Sequence, residues 1–162
     1  MTYRYENILT NPVFVSTIKK IEEIEKDRFF CRHGMEHLIS VARIAYIISL
    51  EEQAELSKDI IYAAALLHDI GRASEYETGS PHNSSGAETA KEIMSECGYS
   101  EEEITGVTNS IRSHGHKCSN TEGSALETIL CRADKLSRTC FNCKAYESCN
   151  WTPGRKNNTL IY

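Results

Sequence analysis

His68 and Asp69 stand side by side at the end of the apolar run Ile60 to Leu67. Both are metal-ligating residue types, and burying either without a partner is costly. A bound cation satisfies both, because it offsets the carboxylate charge and takes up the lone pair of a neutral imidazole. The chain offers the same residue types at His37, His82, His114 and Asp134, at positions that a helical reading turns inward or sets at helix ends. Such a set suits a metal centre, and water activated by a metal ion hydrolyses substrates at neutral pH.

Helices must position these residues. Asn11-Pro12 reads as an N-cap followed by a first-turn proline and predicts a helix to about Arg28. A second helix is expected from about Gly34 to Leu50. Ser57, with Asp59 in the first turn, opens a third that Gly71 closes. Three Ser-x-x-Glu capping boxes predict further starts. Ser85 with Glu88 opens a helix closed by Gly98, Ser100 with Glu103 one to about Ser113, and Ser124 with Glu127 one to about Arg138. No stretch alternates as a strand would. The expected fold is all-α, a helical domain over residues 1–138 with an irregular Cys-rich tail, 139–162, packed on it. A chain of 162 residues is long enough for one such core.

His37 precedes Val41, Ile44 and Ile48 at helical spacing and shares their inward face. Ala64 and Ile61 lie behind His68, Ala65 and Tyr62 behind Asp69, and Leu130 behind Asp134. Each residue has a plainer reading as well. A lone histidine on an apolar face is usually a hydrogen-bonded core residue, and Asp134 has Arg132 and Arg138 nearby as ion-pair partners. His33, just ahead of the second helix, reads as a support or substrate contact, or as a solvated loop side chain.

The segments His37-Leu38-Ile39-Ser40-Val41-Ala42, Ala64-Ala65-Leu66-Leu67-His68-Asp69-Ile70-Gly71-Arg72 and Arg132-Ala133-Asp134-Lys135 resemble the HD superfamily of metal-dependent phosphohydrolases. That family carries a histidine, a His-Asp pair and a late aspartate on helices, and the resemblance covers about residues 30 to 138. It implies that His37, His68, Asp69 and Asp134 bind one metal ion. Pro81-His82 ahead of Gly86-Ala87, and His114 at the end of the fifth helix, resemble a subset with two extra histidines. That subset includes cyclic-dinucleotide phosphodiesterases, hydrolases of diadenosine tetraphosphate and a few di-iron oxygenases. There Asp69 would bridge two ions, with His82 and His114 on the second; His116 is a close competitor of His114. Iron, manganese or zinc suits such nitrogen and oxygen ligands.

The implied reaction is hydrolysis of a nucleotide or another small phosphorylated molecule. Asp69 is then the bridging ligand and a proton acceptor. Developing negative charge needs cationic partners. Arg72 is the first candidate, where many family members carry lysine, and Lys135 and Arg138 are the next. His33 and Arg138 are candidate substrate contacts. A di-iron oxygenase of the same fold is an alternative, and so is a non-catalytic regulator that senses metal or redox state through its cysteines.

Seven cysteines are many for this length, and their odd number argues against a disulfide framework. Cys140-x-x-Cys143-x5-Cys149 has the first gap of a metal knuckle. Cys31 is a candidate fourth ligand of a second metal site, with Cys118 and Cys131 as alternatives and structural zinc or an iron-sulfur cluster as occupant; the plainer readings are reduced buried thiols or a reversible Cys140–Cys143 disulfide. The net charge of −5 argues against long nucleic acid or an anionic membrane as partner. No apolar run is of membrane-spanning length, so a cytoplasmic monomer or dimer is expected.

Overall fold

The computed structural model describes residues 3–114 and 123–162. In chain order the helices are α1 (Tyr5–Thr10), α2 (Pro12–Ile24), α3 (Met35–Glu51), α4 (Lys58–Leu67), α5 (Arg72–Thr78), α6 (His82–Glu96), α7 (Glu101–Ser113) and α8 (Ala125–Leu136). There is no strand among the described residues. The fold is all-α, as the periodicity predicts.

The apolar run becomes α4, in which Ile61 and every residue from Ala63 to Leu67 is buried. A helix that is apolar all round must be covered all round. Helices α1, α3, α6, α7 and α8 all pack against it. Three consecutive alanines let those neighbours approach closely. The His-Asp pair at its C-terminal end is thereby set in the middle of the molecule, His68 fully buried and Asp69 1 % exposed.

Caps fix several helix starts as expected. Asn11 accepts from the Val13 and Phe14 amides, Ser57 accepts from Ile60, and both Ser100–Glu103 and Ser124–Glu127 form complete capping boxes. Ser85 and Glu88 do not. Helix α6 begins a turn earlier, at His82 behind Pro81, and Ser85 lies within it, its hydroxyl donating to the Pro81 carbonyl. Proline's fixed φ starts the helix there, so the box residues fall one turn inside. Helix α4 ends at Leu67 rather than Gly71, and α5 follows as a separate short helix that the sequence pattern does not reveal.

Gly71 explains that break. A Cβ on it would stand 1.9 Å from the His82 carbonyl oxygen and 2.5 Å from the Gly86 amide. The missing side chain lets the turn after Asp69 press against the first turn of α6. Helix α2 stops at Ile24, one turn short of the expected Arg28, and the chain folds Glu25 inward to 2 % exposure. After α8 the tail runs through short 3-10 turns at Cys140–Asn142 and Pro153–Arg155. Its anchor is Asn157, whose side-chain amide donates to the Lys135 and Arg138 carbonyls at the end of α8, at 2.6 and 2.8 Å.

Candidate metal centre

Six ligand-type side chains from α3, the α4–α5 turn, the start of α6, the end of α7 and α8 converge. One atom each of His37, His68, Asp69 and Asp134 lie within 4.8 Å of one another, and the same holds for Asp69, His82 and His114. Asp69 belongs to both groups, and its two oxygens face different ways. Oδ2 lies 3.1 Å from His68 Nε2 and 3.5 Å from His37 Nε2. Oδ1 lies 3.8 Å from His114 Nε2 and accepts from Arg72 Nε at 3.0 Å. Asp134 Oδ1 lies 3.2 Å from His37 Nε2 and 3.8 Å from His68 Nε2.

Three of the histidines are held from behind. His68 Nδ1 bonds the Ala65 carbonyl at 2.7 Å, His37 Nδ1 meets Ser137 Oγ at 3.2 Å, and His82 Nδ1 meets Glu75 Oε1 at 3.0 Å. Fixing Nδ1 outward turns Nε2 toward the cluster, which is how metal-ligating histidines are commonly oriented. Helix geometry does part of this work, because Ala65 precedes His68 by one turn and Ser137 follows Asp134 by one turn.

Buried polar atoms normally find partners. Here His68 Nε2, Asp69 Oδ2, His82 Nε2 and His114 Nδ1 are buried without a hydrogen-bond partner among the described residues. The first three aim into the ligand groups. Orphaned nitrogen and oxygen atoms around a shared carboxylate fit a divalent cation.

The electrostatics agree. Burial opposes charge on Asp69, but His68, His37 and Arg72 hold its carboxyl well below the usual range. Burial likewise opposes charge on Asp134, and His37 and His68 overcome it. Burial would lower His68, yet the Asp69 and Asp134 carboxylates raise it to about 10. His114 is pushed down to about 4 by burial and by the nearby His68 charge. These carboxylates draw positive charge to the buried imidazole of His68, as they would draw a cation.

The cluster opens into a cavity of about 400 Å³. Asp134, Arg72 and His33 line it, together with Arg28, Arg138 and Lys156. Arg72 also donates to Glu75 at 3.2 Å. Lys135 turns away, its Nζ 3.5 Å from the Cys131 sulfur rather than at the ligand cluster.

His33 is 5 % exposed and its ring meets that of His37 edge-on, centroids 5.9 Å apart. Its Nδ1 and its backbone amide both bond Glu25, each at 2.6 Å, and Tyr76 donates to the same carboxylate at 2.5 Å. Sequence reasoning did not find Glu25. It sits in the run Glu22-Glu23-Ile24-Glu25, which reads as a solvated face, and only the early end of α2 marks it. Glu75 and Ser137, which orient His82 and His37, were missed for the same reason. Cys31, Cys140, Cys143 and Cys149 line the same cavity, and all are free thiols. Cys131 is disulfide-bonded and so is not available as a ligand. Cys118 and His116 lie outside the described residues.

The sequence profile of the HD domain matches residues 34–139. An uncharacterised protein of Clostridium beijerinckii is 42 % identical over 159 residues, covering 98 % of this chain and 99 % of that one. Ribonuclease Y of Mycoplasma mycoides is 31 % identical over 127 residues, covering 78 % of this chain, which spans 27 % of the ribonuclease. The crystal structure of a predicted HD superfamily hydrolase from an uncultured Thermotogales bacterium aligns with a TM-score of 0.65 at 26 % identity, over 89 % of this chain and 79 % of that one. The profile match takes in every member of both ligand groups, from His37 to Asp134, and by that match the chain belongs to the HD domain family.

Proposed function

We propose that this chain is a metal-dependent phosphohydrolase acting on a nucleotide or another small phosphorylated molecule, with two divalent ions sharing Asp69. The observation that carries this reading is the placement of Asp69, one oxygen facing His37 and His68 and the other facing His114. His37, His68, Asp69 and Asp134 would hold one ion, and Asp69, His82 and His114 the other. Iron, manganese and zinc all suit this nitrogen and oxygen set. A divalent ion in such a site lowers the pKa of bound water and supplies hydroxide near neutral pH.

The chain's own residues supply binding and orientation. Arg72 and Arg138 line the cavity, where they would neutralise phosphoryl oxygens. Arg72 also holds Asp69 Oδ1, which steadies the shared carboxylate. His33, its Nδ1 fixed by Glu25, has Nε2 left to meet substrate. A cavity of about 400 Å³ suits a small ligand rather than a duplex. Ribonuclease Y among the relatives makes a short RNA a reasonable member of the substrate panel.

The test is a panel of nucleotides, sugar phosphates and short RNA, assayed with Mn²⁺, Fe²⁺ or Zn²⁺ in the absence of oxygen. Metal-dependent hydrolysis that disappears in Asp69→Ala supports the reading. Turnover that requires oxygen, or tight binding with no turnover, sinks it.

A further inference from the structure

Four free thiols from two distant parts of the chain face one space. Cys31 lies between α2 and α3, and Cys140, Cys143 and Cys149 lie in the tail. All four line the cavity beside the His/Asp cluster. Cys97 is elsewhere, at the C-cap of α6. Burial raises the Cys31 thiol, Arg138 opposes that, and the nearby tail thiols add to it.

The tail's backbone is arranged for sulfur ligands. The Cys143 amide donates to the Cys140 carbonyl at 3.1 Å and closes the Cys-x-x-Cys segment into a tight turn. The Trp151 amide points at Cys149 Sγ at 3.5 Å, a contact that favours a thiolate. Asn157 and Tyr162 tie the tail to α8 and to Glu51, but it buries little apolar surface of its own. Of its hydrophobic residues only Cys140 and Ala145 are buried, while Phe141, Leu160 and Ile161 are exposed. Segments with so small a core are usually stapled by disulfides or metal.

We propose that Cys31, Cys140, Cys143 and Cys149 bind one zinc ion as a four-thiolate site that pins the tail to the segment ahead of α3, separately from the His/Asp cluster. Binding releases four thiol protons and leaves a centre of charge about −2, from four thiolates on one Zn²⁺. Arg28, Arg138 and Lys156 line the same cavity and offset that charge. Among the described residues, no group of three or more ligand atoms within 4.8 Å of one another includes a cysteine. Tetrahedral zinc with Zn–S of about 2.3 Å needs sulfurs about 3.8 Å apart. Binding therefore draws the two segments together and tightens the cavity wall. Neither segment belongs to an α-helix, so the closure breaks no helical hydrogen bonds.

The site is tested on full-length protein produced with zinc, by elemental analysis and native thiol counting. The variants are Asp69→Ala, Cys143→Ser and the two combined. One zinc per chain retained in Asp69→Ala and lost in the combined variant is the expected result, as is one fewer zinc in Cys143→Ser than in wild type. Cobalt in Asp69→Ala should show the intense charge-transfer absorption of thiolate ligation. The proposal is overturned by Asp69→Ala protein without zinc, by zinc content in Cys143→Ser equal to that of wild type, by zinc retained in the combined variant, or by iron with acid-labile sulfide in its place. None of these readings depends on phosphohydrolase activity, so the two proposals fail independently.

Discussion

Arg138 Nη2 lies 3.1 Å from His37 Nε2, on the atom that would face a metal ion, and 3.8 Å from Asp134 Oδ1. The guanidinium thus competes with any cation for those two ligands. It is tethered through Nη1 to the Arg32 carbonyl at 2.7 Å, and its side chain lines the cavity. A cation entering the site displaces it toward the cavity, where phosphoryl groups would be bound. Arg138→Ala should therefore tighten Mn²⁺ binding about tenfold, since hydrogen bonds to charged groups are worth about 1.5–3 kcal/mol. The same variant should raise KM for a phosphorylated substrate. Isothermal titration with Mn²⁺ checks the first effect, and weaker metal binding in the variant contradicts this role.

Removing one ligand group should leave the other. His82 touches only the group that contains Asp69 and His114. His82→Ala is expected to hold one ion at the His/Asp cluster where wild type holds two, and Asp69→Ala none there. Metal analysis in a background lacking the tail thiols reads this directly. Equal metal content in wild type and His82→Ala would falsify the two-ion arrangement.

Acid should loosen the chain through Glu25. Burial alone would raise this carboxyl, but bonds from the His33 ring, the Tyr76 hydroxyl and the His33 amide bring it down to about 2. Its folded value thus lies below the unfolded value of 4.5. A depressed carboxyl contributes stability that is complete above the unfolded value and is lost as pH falls toward the folded one. Glu25→Gln should cost at most about 3 kcal/mol at pH 7, and the cost should vanish between pH 4.5 and about 2. Urea midpoints of both proteins across that range give the answer, and a pH-independent difference would contradict the carboxylate's role.

Gly71→Ala should be destabilising in a way few surface changes are. The new methyl meets backbone atoms, which cannot rotate aside as a side chain can. A loss on the order of 3 kcal/mol follows from the usual cost of overpacking. For a chain of this size that lowers Tm by roughly 6 to 12 °C. The expected companion effect is loss of the ion shared by His82, because α6 must move off Asp69. A melting curve with and without added Mn²⁺ checks both.

The helices were legible because their signals are local. Asn11, Ser100 and Ser124 cap what they promise to cap, and α4 is apolar on every side. The candidate ligands His37, His68, Asp69 and Asp134 stood out because each sits on or beside an apolar stripe, where an unpartnered polar group needs a reason, while His82 and His114 rested on the family resemblance. The residues that hold those ligands were not. Glu25, Glu75 and Ser137 belong to types that usually sit in water, and their partners are eight, seven and a hundred residues away. Helix α5 stayed hidden because its start depends on a steric contact between Gly71 and α6 rather than on a cap. Lys135 neighbours Asp134 in sequence but turns to Cys131, as consecutive residues on a helix point in different directions.

The ligand groups draw on α3 near one end of the family match and on α8 near the other, so a bound ion ties together most of the folded chain. An ion that binds only the folded state stabilises it by mass action, about 2.7 kcal/mol at a free concentration a hundred times its Kd. The fraction of chains open to proteases would then follow the supply of that ion in the cell. Scarcity of the ion would then lower the amount of this protein, and its abundance would track metal supply without any dedicated sensor.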